Sequence, residues 1–143
     1  MNKNLTRKIN QYLASLGVEY IKLHNLHWNV VGMNFKAVHE YLEGLYDGVT
    51  ASLDAVAELL KIKDETPLAS MKDYLEVSLI KELENRDYQI KETVEIVLKD
   101  FETFKALAEE IRKEADAEDV YDVVGFFEGE LEHFSKSIWF LKS

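Results

Sequence analysis

Proline occurs once in these 143 residues, at Pro67, and on both sides of it apolar residues recur at three- and four-residue steps. That combination restricts the chain to long helices. A period of 3.6 places residues i, i+3, i+4 and i+7 on one face, and no imino acid interrupts the backbone ladder within the runs. Four stripes are present. The first runs through Ile9, Leu13, Leu16, Tyr20, Leu23, His27 and Val30, and the second through Val38, Leu42, Leu45, Val49, Leu53, Val56 and Leu60. The third carries Leu83, Ile90, Val94, Val97, Phe101, Phe104, Ala108 and Ile111; the fourth carries Val120, Val124, Phe127, Leu131, Phe134, Ile138 and Leu141. Gly32 supplies a C-cap to the first helix, Asn34 an N-cap to the second and Asp116 an N-cap to the fourth. No segment alternates convincingly with period two, so the class is all-α.

The connections decide the topology. Only a few residues separate stripes one and two, and stripes three and four, so each pair is an antiparallel hairpin. The link from Lys63 to Lys81 is longer and holds Pro67. A second helix of roughly 28 residues is about 42 Å long at 1.5 Å per residue, and this link can traverse that length. Met71, Tyr74, Leu75 and Val77 give it a short helix of its own. The expected architecture is a ferritin-like four-helix bundle with one long crossover carrying a short helix, as a single domain over residues 1–143.

Charge and composition narrow the chemistry. Lys and Arg number 17 against 27 Asp and Glu, a net charge of −10, which repels phosphate backbones and favours cations as partners. There are no cysteines, so disulfides, thiol catalysis and Cys-type zinc sites are excluded. No apolar run approaches the roughly 20 residues of a membrane span, and no apolar segment follows the basic residues of MNKNLTRKIN. A cytoplasmic location is expected.

The remaining signal is a set of hard donors between His24 and Glu58. His27, His39, Glu43, Asp54 and Glu58 offer imidazole and carboxylate ligands of the kind that suit iron, manganese or zinc. Taken singly, each has an ordinary explanation. His39/Glu43 and Asp54/Glu58 are i,i+4 pairs, as found on many solvated helix faces, and a lone histidine on an apolar stripe is usually a hydrogen-bonded core residue. Taken together, they have a symmetry. Glu43 and Asp54 lie 11 positions apart, about 16 Å along a helix, so one straight chain cannot close them on one ion. The midpoints of His39–Glu58 and of Glu43–Asp54 both fall at 48.5. A second copy laid antiparallel about a two-fold axis there brings His39 and Glu43 of one chain toward Asp54 and Glu58 of the other, twice over. Gly44 and Gly48 lie beside that point and permit close approach at a cost in helix propensity. The intrachain di-iron pattern, an E-x-x-H from each of two helices, is met only once, by Glu130 and His133, which read as a solvated surface pair or, alternatively, a weak metal-binding pair.

The run LHNLHWNVVGMNFKAVHEYLEGLYDGVTASLDAVAE resembles the signature of the Dps family, ferritin-like mini-ferritins named as DNA-binding proteins from starved cells. The resemblance covers essentially the whole chain, including the connector helix and the late tryptophan in KSIWFL. It implies ferroxidase ligands at His27, His39 and Glu43 of one subunit and at Asp54 and Glu58 of its dimer partner. Glu43 stands where the family often has Asp. The resemblance further implies a twelve-subunit shell that oxidises Fe(II), preferably with hydrogen peroxide, stores ferric mineral and protects against oxidative damage. Iron is then both substrate and cargo, and no organic cofactor is expected. Trp28 resembles the family tryptophan near the site. It either takes stray oxidising equivalents or simply packs at the dimer interface.

The resemblance also implies an acidic pore that admits iron near the start of the last helix, where Glu114, Asp116, Glu118, Asp119 and Asp122 crowd; Asp116, Asp119 and Asp122 are the residues assigned to it. Helix capping and the macrodipole account for part of that crowding. Direct DNA binding is not expected, because only Lys3, Arg7 and Lys8 precede the first helix and counterion release scales with the phosphates neutralised. Two competing functions remain: a nucleoid-compacting DNA-binding protein, and a non-catalytic helical module whose polar face only pairs subunits.

Overall fold

The computed structural model describes all residues 1–143. Four long helices carry the apolar stripes: α1 (Lys3–Asn29), α2 (Phe35–Ile62), α4 (Ile90–Ala117) and α5 (Tyr121–Lys142), with α3 (Met71–Val77) in the crossover. α1 packs on α2 and α4 on α5 as antiparallel hairpins, and α1 also packs along α4. The stripes meet in one apolar core, in which Phe104 stacks on Phe134 at 5.1 Å and Tyr12 stands edge-on to Phe104 and Phe127.

The crossover is tied to α1 by polar side chains that α1 would otherwise present to water. Asn10 accepts from the Leu68 amide at 2.9 Å, Gln11 donates to the Val77 carbonyl at 3.1 Å, and Ser15 Oγ accepts from the Leu79 amide at 3.0 Å. The Tyr74 ring lies against Gly17, where any Cβ would collide with it. Ser70 caps α3 by accepting from the Asp73 amide.

Four local expectations change. The C-cap of α1 is Val30, not Gly32: residues Val30–Val31 form β1, which pairs in parallel with β2 (Tyr88–Gln89), a two-residue ladder too short to show as alternation. Gly32 instead turns the chain at φ +140°, with Ile90 so close that a side chain would be crowded as well as strained. Asn34 does occupy the N-cap position of α2, but its side chain makes no capping bond. Asp116 does not cap the last helix, because α4 runs on to Ala117 and takes Asp116 into its final turn; Val120 precedes α5. Leu83 lies in the crossover, seven residues before α4 begins at Ile90.

Candidate metal centre

The C-terminal turn of α1 and the first turns of α2 are held face to face by two histidines. His27 Nδ1 lies 2.7 Å from the His39 carbonyl, and His39 Nδ1 lies 2.7 Å from the His27 carbonyl. Their rings stack with centroids 3.6 Å apart and planes 11° from parallel. The His27 carbonyl is one of the four that a helix end leaves without an intrahelical donor, and His39 satisfies it. A carbonyl oxygen can only accept, so each Nδ1 must carry the hydrogen. In the neutral ring that tautomer leaves Nε2 with a free lone pair, the arrangement in which a backbone acceptor orients a metal-binding imidazole. His27 is buried and His39 half-buried, so the pair is fixed by packing as well as by hydrogen bonds.

The carboxylates are arranged differently. Glu43, Asp54 and Glu58 are all exposed on the outer face of α2, and none forms a hydrogen bond or ion pair within the chain. No three His, Asp or Glu side chains converge in one chain to hold a metal ion. The chain thus brings His27 and His39 together and leaves Glu43 well apart along the helix from Asp54 and Glu58, which lie one turn from each other. The same outer face holds Gly44, where an added Cβ would meet nothing within 4 Å.

Aromatic residues that sequence reasoning did not single out surround the imidazole pair. Tyr46 stands edge-on to His27 at 5.3 Å and stacks on His24 at 3.8 Å. Phe35 stacks on the far side of His39 at 5.0 Å. Burial, then the negative charge of Glu43 and Asp47, holds the Tyr46 phenol above its usual range, so it is protonated at neutral pH. Its position was legible in one respect: Tyr46 is seven residues after His39, hence on the same helix stripe. Trp28 is 65% exposed and touches His24 at 5.3 Å rather than His27. Successive helical residues point about 100° apart, so adjacency to His27 in sequence does not put Trp28 against it.

Glu130 and His133 do not form a solvated pair. Glu130 is buried and accepts from Tyr12 Oη at 2.9 Å and Ser52 Oγ at 3.1 Å, while His133 is exposed. Residue Glu130 lies on the core stripe of α5 between Phe127 and Phe134, and two hydroxyls from α1 and α2 occupy its oxygens. Among the acidic residues near the start of α5, Asp122 forms an ion pair with Lys63 at 2.6 Å and Asp116 lies 3.6 Å from Arg112. The Lys63 ammonium holds the Asp122 carboxyl below its usual range. Asp119 is exposed at φ +58° and accepts from the Tyr121 hydroxyl.

Comparison with known proteins agrees with this architecture. The family described as Ferritin-like domain matches residues 6–143. "DNA protection during starvation protein 2" of Bacillus anthracis is 34% identical over 100% of this chain and 97% of its own length. "Antigen TpF1" of Treponema pallidum (strain Nichols) is 43% identical over 99 residues, 68% of this chain but only 55% of the antigen's length. The crystal structure of that Treponema pallidum antigen superposes with a TM-score of 0.95 at 35% identity, covering 96% of this chain and 88% of the other. Dps from Staphylococcus aureus superposes with a TM-score of 0.94 at 29% identity over 99% and 95% of the two chains. The chain belongs to the Dps family of ferritin-like proteins.

Proposed function

We propose that this member of the Dps family is a ferroxidase and iron store: it oxidises Fe(II), with hydrogen peroxide as the preferred oxidant, and keeps the ferric product inside a hollow twelve-subunit shell. The observation that carries the reading is the His27–His39 pair, whose carbonyl-bonded Nδ1 atoms leave two Nε2 lone pairs available side by side. These imidazoles and Glu43 supply one half of each site, and Asp54 and Glu58 of a second copy supply the other. The unpaired outer face of α2 and the open space at Gly44 are what an antiparallel crossing of two α2 helices requires. Carboxylates stabilise Fe(III) over Fe(II), so oxidation at such a site runs downhill, and consuming iron and peroxide together limits hydroxyl-radical formation.

In this reading the acidic residues Asp116, Asp119 and Asp122 face a pore that admits iron, and Asp119 is the one of the three without an ion pair in the chain. Direct DNA binding is weak at physiological salt. Of the three basic residues near the N-terminus, Lys8 is held by Glu110 and Glu114 at 2.8 Å each, and Arg7 donates to Asn4. A gel shift showing tight, salt-sensitive binding at neutral pH would favour the DNA-compacting reading instead. No helix is long and apolar enough to cross a membrane.

The decisive experiment adds Fe(II) and then peroxide to the assembled protein and follows ferric absorbance. The double variant His27→Ala/His39→Ala is expected to slow oxidation on the order of 100-fold, the upper end of what even outer-shell changes cost metal sites. Unaltered kinetics in that variant would overturn the assignment.

A further inference from the structure

A polar stripe runs along α1 beneath the crossover. Gln11, Ser15, Glu19, Lys22 and Asn25 follow one another at three- and four-residue steps, so they share one face of the helix. Three of them are fastened to the chain that passes over them. Gln11 donates to the Val77 carbonyl, Ser15 Oγ accepts from the Leu79 amide at 3.0 Å, and Asn25 donates to the Glu84 carbonyl at 3.2 Å. Residues 79–84 are thus a strap stretched between Ser15 and Asn25. The two members of the stripe between those fastenings, Glu19 and Lys22, make no bond to it; Lys22 turns instead to Asp100 of α4, at 2.8 Å.

Glu19 is fully buried, and neither of its oxygens accepts a hydrogen bond. The charges that act on it are Asp100 of α4 and Lys22 of its own helix. From α2 the buried residues are apolar apart from the uncharged Ser52, and the buried acid of α5, Glu130, meets α1 at Tyr12, two turns away. Lys81 of the strap and Lys99 of α4 stand at the rim of a cleft of about 300 Å³ that Lys22, Leu83 and Asp100 also line. Lys22 and Leu83 line a second cleft of about 160 Å³ as well, so the strap borders open space at two places. Two carboxyls and one ammonium balance only while one carboxyl keeps its proton. Without that proton a bare carboxylate stands beside Asp100 with no donor, and a buried charge in that state demands water. The cover best able to yield is the strap, whose Leu79 and Ile80 amides are held only by the hydroxyls of Ser15 and Ser78.

We infer that Glu19 is a proton-operated latch under this strap: with its proton in place residues 79–84 lie closed on α1 and α4, and when the proton leaves the strap opens between Ser15 and Asn25 and admits water to the carboxylates. The device closes on acidification and loosens as pH rises. Its direction follows from the surroundings, because burial and then the Asp100 charge favour the neutral form of Glu19 in the closed state, whereas water in the open state returns it to ordinary glutamate behaviour. Opening is local. The fastening at Asn25 and the ladder of Val30–Val31 with Tyr88–Gln89 hold the strap beyond Glu84, so the end of α1 that carries His27 stays in place.

The test follows amide hydrogen exchange of the full-length protein from about pH 5 to about pH 10, corrected for the base catalysis of exchange itself, with the infrared band of protonated carboxyl recorded in parallel. The Leu79 and Ile80 amides should lose protection about tenfold per pH unit above the ordinary glutamate value and level off where the carboxyl band disappears. Their exchange should not depend on added denaturant, the mark of a local opening, whereas core amides of α4 should exchange only through denaturant-sensitive unfolding. Glu19→Gln should abolish both the band and the pH dependence at Leu79 and Ile80. Asp100→Asn, which leaves Lys22 as the one charge beside Glu19, should move the levelling point to lower pH. Protection at Leu79 and Ile80 that ignores pH, that shares the denaturant dependence of the core, or that keeps its slope in Glu19→Gln overturns the inference. So does a carboxyl band that vanishes in the unaltered protein without any change at these two amides.

Discussion

Two sets of carboxylates in this molecule differ in what surrounds them. Inside the bundle, Glu130 is saturated by the hydroxyls of Tyr12 and Ser52, and Asp100 is paired with the Lys22 ammonium at 2.8 Å. Glu19 is fully buried beside them, and neither of its oxygens accepts a hydrogen bond. Burial first, then the Asp100 charge, pushes the Glu19 carboxyl well above its usual range, against the opposing pull of Lys22. Burial thus favours the neutral form of Glu19 over a wider pH range than for an exposed glutamate. On the outer face of α2, by contrast, Glu43, Asp54 and Glu58 lie open and unpaired. The buried carboxylates Glu130 and Asp100 are already committed to donors of their own chain. One left on a surface keeps its lone pairs for an ion, and gains a site only when a second surface approaches.

The contrast can be tested from both sides. The largest effect is expected from Lys22→Met. It strands the Asp100 charge next to Glu19 and should cost about 3–5 kcal/mol of stability, read by denaturant unfolding. A loss no larger than that of an exposed lysine would show that the internal set is not a committed network.

Glu19 gives the pH dependence. Its folded-state pKa lies above the usual carboxyl value of 4.5, so the folded chain binds the extra proton and stability falls as pH rises from about that value toward the folded pKa. The slope reaches at most about 1.4 kcal/mol per pH unit for one proton. Glu19→Gln, a neutral isostere, should flatten this decline and raise the melting temperature near neutral pH. A variant that keeps the slope would show that Glu19 is not its source.

Glu130→Gln should destabilise by about 1 kcal/mol, since the amide retains one acceptor but turns a donor toward a hydroxyl. Metal binding at His27 and His39 should survive, which isothermal titration with Fe(II) or Zn(II) under anaerobic conditions can measure. Loss of binding would mean that the two sets are coupled.

The smallest effect sharpens the outer set. In an isolated helix Gly44→Ala gains up to about 1 kcal/mol of propensity. If two α2 helices cross at this point, the added methyl should weaken association and offset that gain. Sedimentation showing undiminished assembly together with a higher melting temperature would place the crossing elsewhere.

The long elements were legible because their signal is local. Apolar spacing marks α1, α2 and α5 within a few residues, the length of the second helix and the long Lys63–Lys81 link announce the crossover, and Met71, Tyr74, Leu75 and Val77 announce α3. Boundaries were less legible where a tertiary contact outweighed a local preference. The ladder between Val30–Val31 and Tyr88–Gln89 ends α1 before Gly32 is reached, and α4 continues through Asp116. The burial of Glu130 is not legible because its sequence neighbours, Gly129, Leu131 and Glu132, do not reveal that Tyr12 and Ser52 stand opposite it. The place of Tyr46 is not legible either, because a tyrosine at helical spacing is ordinarily core and its ring contact is with a residue 19 positions away.

By itself the sequence determined the helical class, the crossover and the arithmetic that forbids Glu43 and Asp54 from sharing an ion in one chain, and it offered a set of imidazole and carboxylate donors. Those follow from period, length and donor chemistry, which need no partner to be evaluated. The tertiary structure alone decided that His27 and His39 exchange Nδ1 hydrogen bonds across the first hairpin, freeing both Nε2 atoms, and that the ring of Tyr46 stands against His27 while Trp28 packs on His24. Tautomer and ring contact depend on which carbonyl and which face come within a few ångströms, and that is set by how α1 and α2 pack, not by the order of residues along either one.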